Sequence, residues 1–362
     1  MSQPLGSTEP VQRSADPPTA GAAASTGTPS RKAAERRWSR VLPRDLAIDR
    51  LSGIYVIIIM IIAFTLWEPA TFGTWTNARI LLSSQAITGI VTLAAMIGLV
   101  VGVFDLSVAA NMSLSISLVG WLQASAHLNP ALAIFITLGS GALVGCANAF
   151  IVTRLGIDAV IGTLATSSIL AAITYWVASG QDIVYGISPG FSSIGNLTPL
   201  GLPITVYYLL FLGLALWYVL EHTPVGRYLY AAGANPRAAR LSGVNVVRLQ
   251  WGALITSGIL SSIAGIAFTM QLGTASFDAG NSYLLPAFAG AFLGSTQIKP
   301  GRFNVPGTIV AIYLVAVGVK GLQLRFPQYA WIAELVDGVI LLIAVGVAVN
   351  SARRRARAPR TA

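Results

Sequence analysis

The sequence predicts an all-α integral membrane protein of about ten transmembrane helices, some interrupted, with both termini cytoplasmic. Three observations lead there. Hydrophobic residues make up 54% of the chain and charged residues only 10%, with a mean hydropathy of +0.71. A soluble domain carries about 25% charged residues, so too few are present to cover a water-facing shell. The charges that do occur fall at bilayer spacing, since a crossing needs roughly 20 apolar residues at about 1.5 Å each. The basic residues also gather at the ends: Arg13, Arg31, Lys32, Arg36, Arg37, Arg40, Arg44 and Arg50 before the first apolar run, and Arg353, Arg354, Arg355, Arg357 and Arg360 at the close. Basic clusters flanking apolar spans set topology and favour anionic membrane lipid, which accounts for the formal charge of +10 without nucleic acid.

Taken in order, residues 1–45 form a basic cytoplasmic tail whose first thirty residues, rich in Ser, Thr, Ala, Gly and Pro, bury too little to offset chain entropy. They lack the early basic region and apolar core of a secretory signal, so the first apolar run is expected to be retained. The membrane-spanning body occupies 46–351, and 352–362 is a second basic tail. Within the body, 51–67 makes the first span and 80–104 the second; 106–153 holds two spans broken at His127-Leu128-Asn129-Pro130. Residues 159–181 form the fifth, a Gly/Ser/Pro-rich loop follows, and a sixth begins near Pro203. After a basic cytoplasmic loop over 221–249 come spans at 249–272, 281–298, 303–322 and 330–350.

Ten crossings return the chain to its starting side, where both basic ends are required. The loops placed inside then carry Arg154, Arg227, Arg237, Arg240, Arg248, Lys299 and Arg302; those outside carry Arg79 and Arg325 with Glu68, Asp182 and Asp278. Glycines and serines interrupt several spans, as close helix approach in lipid requires. Phe104-Asp105 before the third span and Phe277-Asp278 before the eighth form a short echo on opposite sides, a hint of two inverted halves.

Chemistry is sparse. The single Cys146 and the separated His127 and His222 support neither a disulfide nor a metal centre. No Gly-x-x-x-x-Gly-Lys-Ser/Thr occurs, so no cofactor is expected on this chain and any ATP must be hydrolysed by another subunit. The most informative stretch runs from Thr223 to Arg248. Asn235 suits an N-cap, Pro236 the first helical position and Gly243 the position past the end, so a short helix is expected over 236–242 with Arg237 and Arg240 on one face. A helix that short needs something to dock against; alternatively the segment is a basic loop serving topology alone.

This stretch resembles the coupling segment of permease subunits in bacterial ABC importers of the ribose, xylose and galactose class. The shared pattern falls on Thr223, Gly226, Arg227, Tyr230, Ala231, Gly233, Asn235, Ala238, Ala239, Ser242 and Gly243, with Pro236 and Arg240 between them. Val103-Phe104-Asp105-Leu106-Ser107-Val108 resembles that family's Gly-Ile-Asp-Leu-Ser-Val segment. Gly162-Thr163-Leu164-Ala165-Thr166 with Ser179-Gly180-Gln181, and Phe292-Leu293-Gly294-Ser295-Thr296, resemble two others. Ala165, Val103, Asp158 and Lys299-Pro300-Gly301-Arg302 depart from the usual pattern. The resemblance implies a non-enzymatic transport subunit that imports a small sugar or polyol. Its partners would be a cytoplasmic ABC ATPase receiving the short helix, a periplasmic or lipid-anchored sugar-binding protein, and a second copy or related permease. The resemblance does not identify the solute.

Asp105 is the acid of interest, because a carboxylate near membrane depth is costly and faces protein or a cavity. It reads either as an N-cap and gate at a broken helix on the cytoplasmic side or as a plain interfacial N-cap. Asn111, Asn148, Thr163, Thr166 and Gln181 either line a path for hydroxylated solutes or satisfy helix contacts. Glu334 and Asp337, near the outer end of the last span, read as interfacial. The competing function is an ion-gradient-driven carrier; it would need a buried carboxylate relay, for which Asp105 is the candidate.

Overall fold

The computed structural model describes residues 48–329 and 331–357. The tail expected over 1–45 lies outside the described residues, as do 358–362 of the second tail. The described chain is helical, joined by turns and one antiparallel bridge between Ile183 and Ala275. Its helices are α1 (Ile48–Trp67), α2 (Trp75–Val100), α3 (Val108–Ala124), α4 (Pro130–Thr153), α5 (Ala159–Ala178), α6 (Pro189–Gly195), α7 (Ile204–His222), α8 (Pro224–Ala234), α9 (Pro236–Leu241), α10 (Val246–Leu272), α11 (Leu284–Gly294), α12 (Val305–Arg325) and α13 (Ile332–Arg357). Among the described residues α2, α4, α5, α7, α10 and α12 are long and apolar enough to cross a membrane; Ser52–Trp67 and α3 are shorter apolar helices.

Local signals explain the boundaries. Thr74, Asn129, Asp158, Thr223, Asn235, Asn245 and Asn304 cap their helices by accepting first-turn backbone N–H groups. α2 stops at Gly102, whose φ of +83° closes the turn, with Gly102 N–H donating to Leu99 O and Val103 N–H to Gly98 O. The same two-bond closure ends α9 at Gly243 (φ +82°), through Arg240 O and Ala239 O.

The helices run alternately between two ends of the bundle. At one end the α2–α3 break, α8, α9 and the 295–304 turn meet: Gly102 lies against Gly233, Thr163 bonds Phe104 and Leu106, and Arg302 covers Tyr230. At the other end Glu68 pairs with Arg325 at 3.1 Å, Asp182 accepts from Ser276 and Phe277, and Gly186 abuts Ala124. α2 and α10 are the most enclosed long helices. α10 packs on α3 and α4, α2 packs on α11 and α12, and α5 and α13 sit against α3 and α11.

Small residues bring backbones together. A Cβ on Gly258 of α10 would lie 2.1 Å from Gly141 O of α4, and one on Gly145 would lie 2.4 Å from Leu254 O. Without such contacts two helices in lipid gain little by associating.

Three expectations are corrected. The span expected over 281–298 is helical only as α11, preceded by a 3₁₀ turn at Ala279–Tyr283 whose Gly280 packs closely on Ala109 O and Ser113 N of α3. The loop before Pro203 contains α6, started by Pro189. The 221–249 segment holds two helices, α8 and α9, rather than one.

Candidate coupling surface and the Asp105 seam

Thr223 ends α7 in extended conformation and caps α8, so the chain folds back sharply. Gly226 permits this, since a Cβ there would sit 2.2 Å from Leu220 O. At the far end of α8 a Cβ on Gly233 would sit 2.1 Å from Val100 O. α8 therefore rests by backbone on the last turn of α2. Its other side is held by Tyr230, whose hydroxyl donates to Phe303 O at 2.7 Å and whose ring lies 3.5 Å beneath the Arg302 guanidinium. Burial pushes the Tyr230 phenol up, while the Arg302 charge opposes the shift. Lys299 pairs with Glu221 at 2.6 Å and ties the same turn to the end of α7.

The motif residues thus divide in two. Gly226, Gly233 and Ala239 face inward and seat the segment. Arg227, Asn235, Pro236, Ala238, Arg240, Ser242 and Gly243 are exposed or spend themselves on caps, with Asn235 Oδ1 accepting from Ala238 N–H at 3.1 Å. Leu241 projects with 91% of its surface exposed, and Tyr228 and Val225 of the same segment are exposed as well. Sequence reasoning passed over these three because apolar side chains among apolar helices carry no signal; only their place on a solvent-facing basic segment does.

Asp105 lies in the break between α2 and α3, two residues before the N-cap. The N-cap is Ser107, which corrects the expectation that Asp105 holds that position. The Asp105 carboxylate is buried and accepts from Ser107 Oγ (2.6 Å), Ser107 N–H (3.1 Å), Asn148 Nδ2 (3.3 Å) and Ser257 Oγ (2.8 Å). A buried carboxylate is tolerated when several donors replace its water. Asn111 continues this seam by donating to Gly258 O at 2.8 Å, and Ser115 meets Ser262 at 2.8 Å. Thr163 closes it from α5, accepting from Leu106 N–H at 3.1 Å. Thr166 returns its hydroxyl to Gly162 O of its own helix. Gln181 is exposed at the opposite end of the bundle, so it does not join the others. Among the described residues no group of three His, Cys, Asp or Glu could hold a metal ion.

Long apolar helices crossing between two loop ends, with a seated helical segment projecting at one of them, define a multi-pass membrane permease. The family described as "Branched-chain amino acid transport system / permease component" matches residues 77–345, and the chain belongs to it. A ribose import permease protein of Bacillus subtilis is 33% identical over 302 residues, covering 83% of this chain and 93% of that relative. A fructose import permease protein of Rhizobium meliloti is 30% identical over 81% of this chain and 83% of its own length. An autoinducer 2 import system permease protein of Photorhabdus temperata is 30% identical over 71% and 78%. No solved structure matches the chain.

Proposed function

We propose that this chain is the membrane-spanning subunit of an ATP-driven importer for a small sugar or polyol delivered by an external solute-binding protein. The observation that carries the reading is the α8–α9 segment: exposed on one side, and seated by Gly233 directly on α2 on the other. In this reading a cytoplasmic ATPase dimer binds the ATP, grips Leu241, Arg240 and the Asn235 corner, and closes. The permease domain is 46–351, crossing about ten times, with both termini on the α8–α9 side. Arg154, Arg227, Arg237, Arg240, Arg248, Lys299 and Arg302 all gather at that end, as the positive-inside rule asks. Two inverted halves receive support from the order of packing: α2-break-α3-α4-α5 is followed by α10-break-α11-α12-α13 starting from the opposite end. A second copy or a related permease completes the pore.

The Asp105 seam argues against a gradient-driven carrier. Both carboxylate oxygens are engaged by fixed donors, which suits positioning of the α2–α3 break rather than proton relay. The test is co-purification of the tagged chain from mild detergent. An ATPase retained by the wild type and lost on combining Arg240→Glu with Leu241→Ser is expected. Solute uptake by ATP-free proteoliposomes, with no ATPase retained, would favour the carrier instead.

A further inference from the structure

In the Asp105 seam the carboxylate is met by fixed donors, while Asn111 Oδ1 and Asn148 Oδ1 are buried without a partner among the described residues. A second polar cluster at the opposite end behaves differently. Between α2, the 279–283 turn, α11, α12 and α13 lies a cavity of about 240 Å³. Its walls include Gln85 and Thr88 of α2, Ser282 and Tyr283, Gln323 of α12 and Asp337 of α13. Thr88 and Ser282 bond to carbonyls of their own turns. Among the described residues Gln85, Tyr283, Gln323 and Asp337 have no side-chain hydrogen-bond partner, although all four are partly buried.

None of the four is fully buried, so their polar atoms stay open to the cavity and need a polar partner there. Together they form a chamber completed by a polar occupant. The volume lies just below the roughly 300 Å³ at which drug-sized ligand sites begin, which suits one small solute. The donor set is mixed: two amides that both give and accept, a phenol, and a carboxylate acceptor. That set complements neighbouring hydroxyls on a compact carbon frame and offers no cation to an anionic ligand. Pro286, Ile312 and Val315 supply apolar wall for the C–H faces of such a molecule.

We propose that this cavity is a weak receiving site for a polyhydroxylated solute, occupied after release from the binding protein and before the bundle opens to the α8–α9 side. It lies toward the end opposite that segment, on the side where a delivered solute arrives if the importer reading holds, and the assignment rests on that reading. Asp337, expected from sequence to be interfacial, becomes the group that holds the solute's hydroxyls.

The full chain in lipid nanodiscs, titrated with D-ribose and D-fructose by saturation-transfer NMR, tests the site directly. The wild type is expected to bind at least one sugar at millimolar concentration. Asp337→Asn, which keeps the shape, and Val315→Phe, which fills the cavity but leaves its polar groups intact, should each weaken that binding at least tenfold. Both variants are checked for unchanged elution and thermal midpoint, and Gln323→Leu replaces either one that misfolds. Equal binding by wild type and both variants, or no binding of a sugar that the assembled importer demonstrably transports, overturns the proposal. Uptake of the same two sugars by proteoliposomes containing the importer, its ATPase and its binding protein separates the two readings. Binding lost in the variants without any uptake leaves the cavity assignment standing and removes the import reading. Absence of both binding and uptake removes both.

Discussion

Gly233→Ala isolates the contact through which α8 would act on α2. The added Cβ lands 2.1 Å from Val100 O and 3.1 Å from Val100 C, whereas real Cβ contacts below 3.0 Å essentially do not occur. Either α8 or the end of α2 must retreat by about 0.9 Å. Val100 is a buried backbone neighbour in one of the most enclosed helices, so α8 moves. Overfilling a packed contact costs about 1–3 kcal/mol, which shifts a seated–unseated equilibrium by about 5–150-fold. Gly252→Ala on α10 is the control. Its backbone is ordinary helix and open space surrounds it, so nothing is pushed. The assay is sugar taken up per ATP hydrolysed by the importer assembled in proteoliposomes with its ATPase and binding protein. Gly233→Ala should keep ATP hydrolysis and lose at least fivefold in uptake per ATP, while Gly252→Ala stays within about twofold of wild type. Wild-type uptake per ATP in a stable Gly233→Ala protein would refute transmission through this contact.

Other outcomes follow from the same geometry. Asp105→Ala strands the buried hydroxyls of Ser107 and Ser257, while Asn148 keeps its bond to Ser107 Oγ; at about 1–3 kcal/mol per unsatisfied group, the thermal midpoint in detergent should fall clearly, and an unchanged midpoint would contradict the seam. Arg302→Gln removes the cation over Tyr230 for about 0.5–2 kcal/mol, and Tyr230→Leu removes the ring beneath it together with the donor to Phe303 O. Because the two groups touch, a double-mutant cycle should show coupling, and strict additivity would exclude the contact. Gly258→Ala forces α10 off α4 and should reduce the monodisperse fraction on size exclusion, whereas Gly252→Ala, with open space around it, should not. Lys299→Ala breaks a pair whose lysine is 45% exposed; exposed pairs contribute at most about 1 kcal/mol, so no resolvable loss of midpoint is expected.

The long spans were legible because apolar length between charges is a one-dimensional property. Asn235-Pro236 and Gly243 announced α9 through capping chemistry, which is equally local. α8 escaped notice although Thr223-Pro224 is also a cap: its apolar residues merge with those of α7 until the fold-back at Gly226 separates them. The eighth expected span shortens to α11 where Gly280 packs on α3, a contact between residues far apart in sequence. Asp105 was picked out by its charge, but whether it faced a path or a packed seam depended on Asn148 and Ser257 arriving from other helices. The cavity was illegible for the same reason. Gln85, Tyr283, Gln323 and Asp337 lie on four separate elements, and none belongs to a local motif.

Helix α2 carries Val100 at one end, beneath Gly233, and Thr88 and Gln85 on the cavity wall toward the other. The stretch between them is continuous α-helix of about 18–22 Å. It behaves as a pushrod with no joint and no spring: the contact at its base is backbone on backbone, so no side chain can change rotamer and absorb the stroke. Tilting such a rod by about 3° displaces its far end by about 1 Å over this length. A stroke of that size is enough to open or close hydrogen-bond distances around a small solute. Nucleotide state and solute retention would then be geared to one another through a single rigid part, without a relay of intermediate rearrangements.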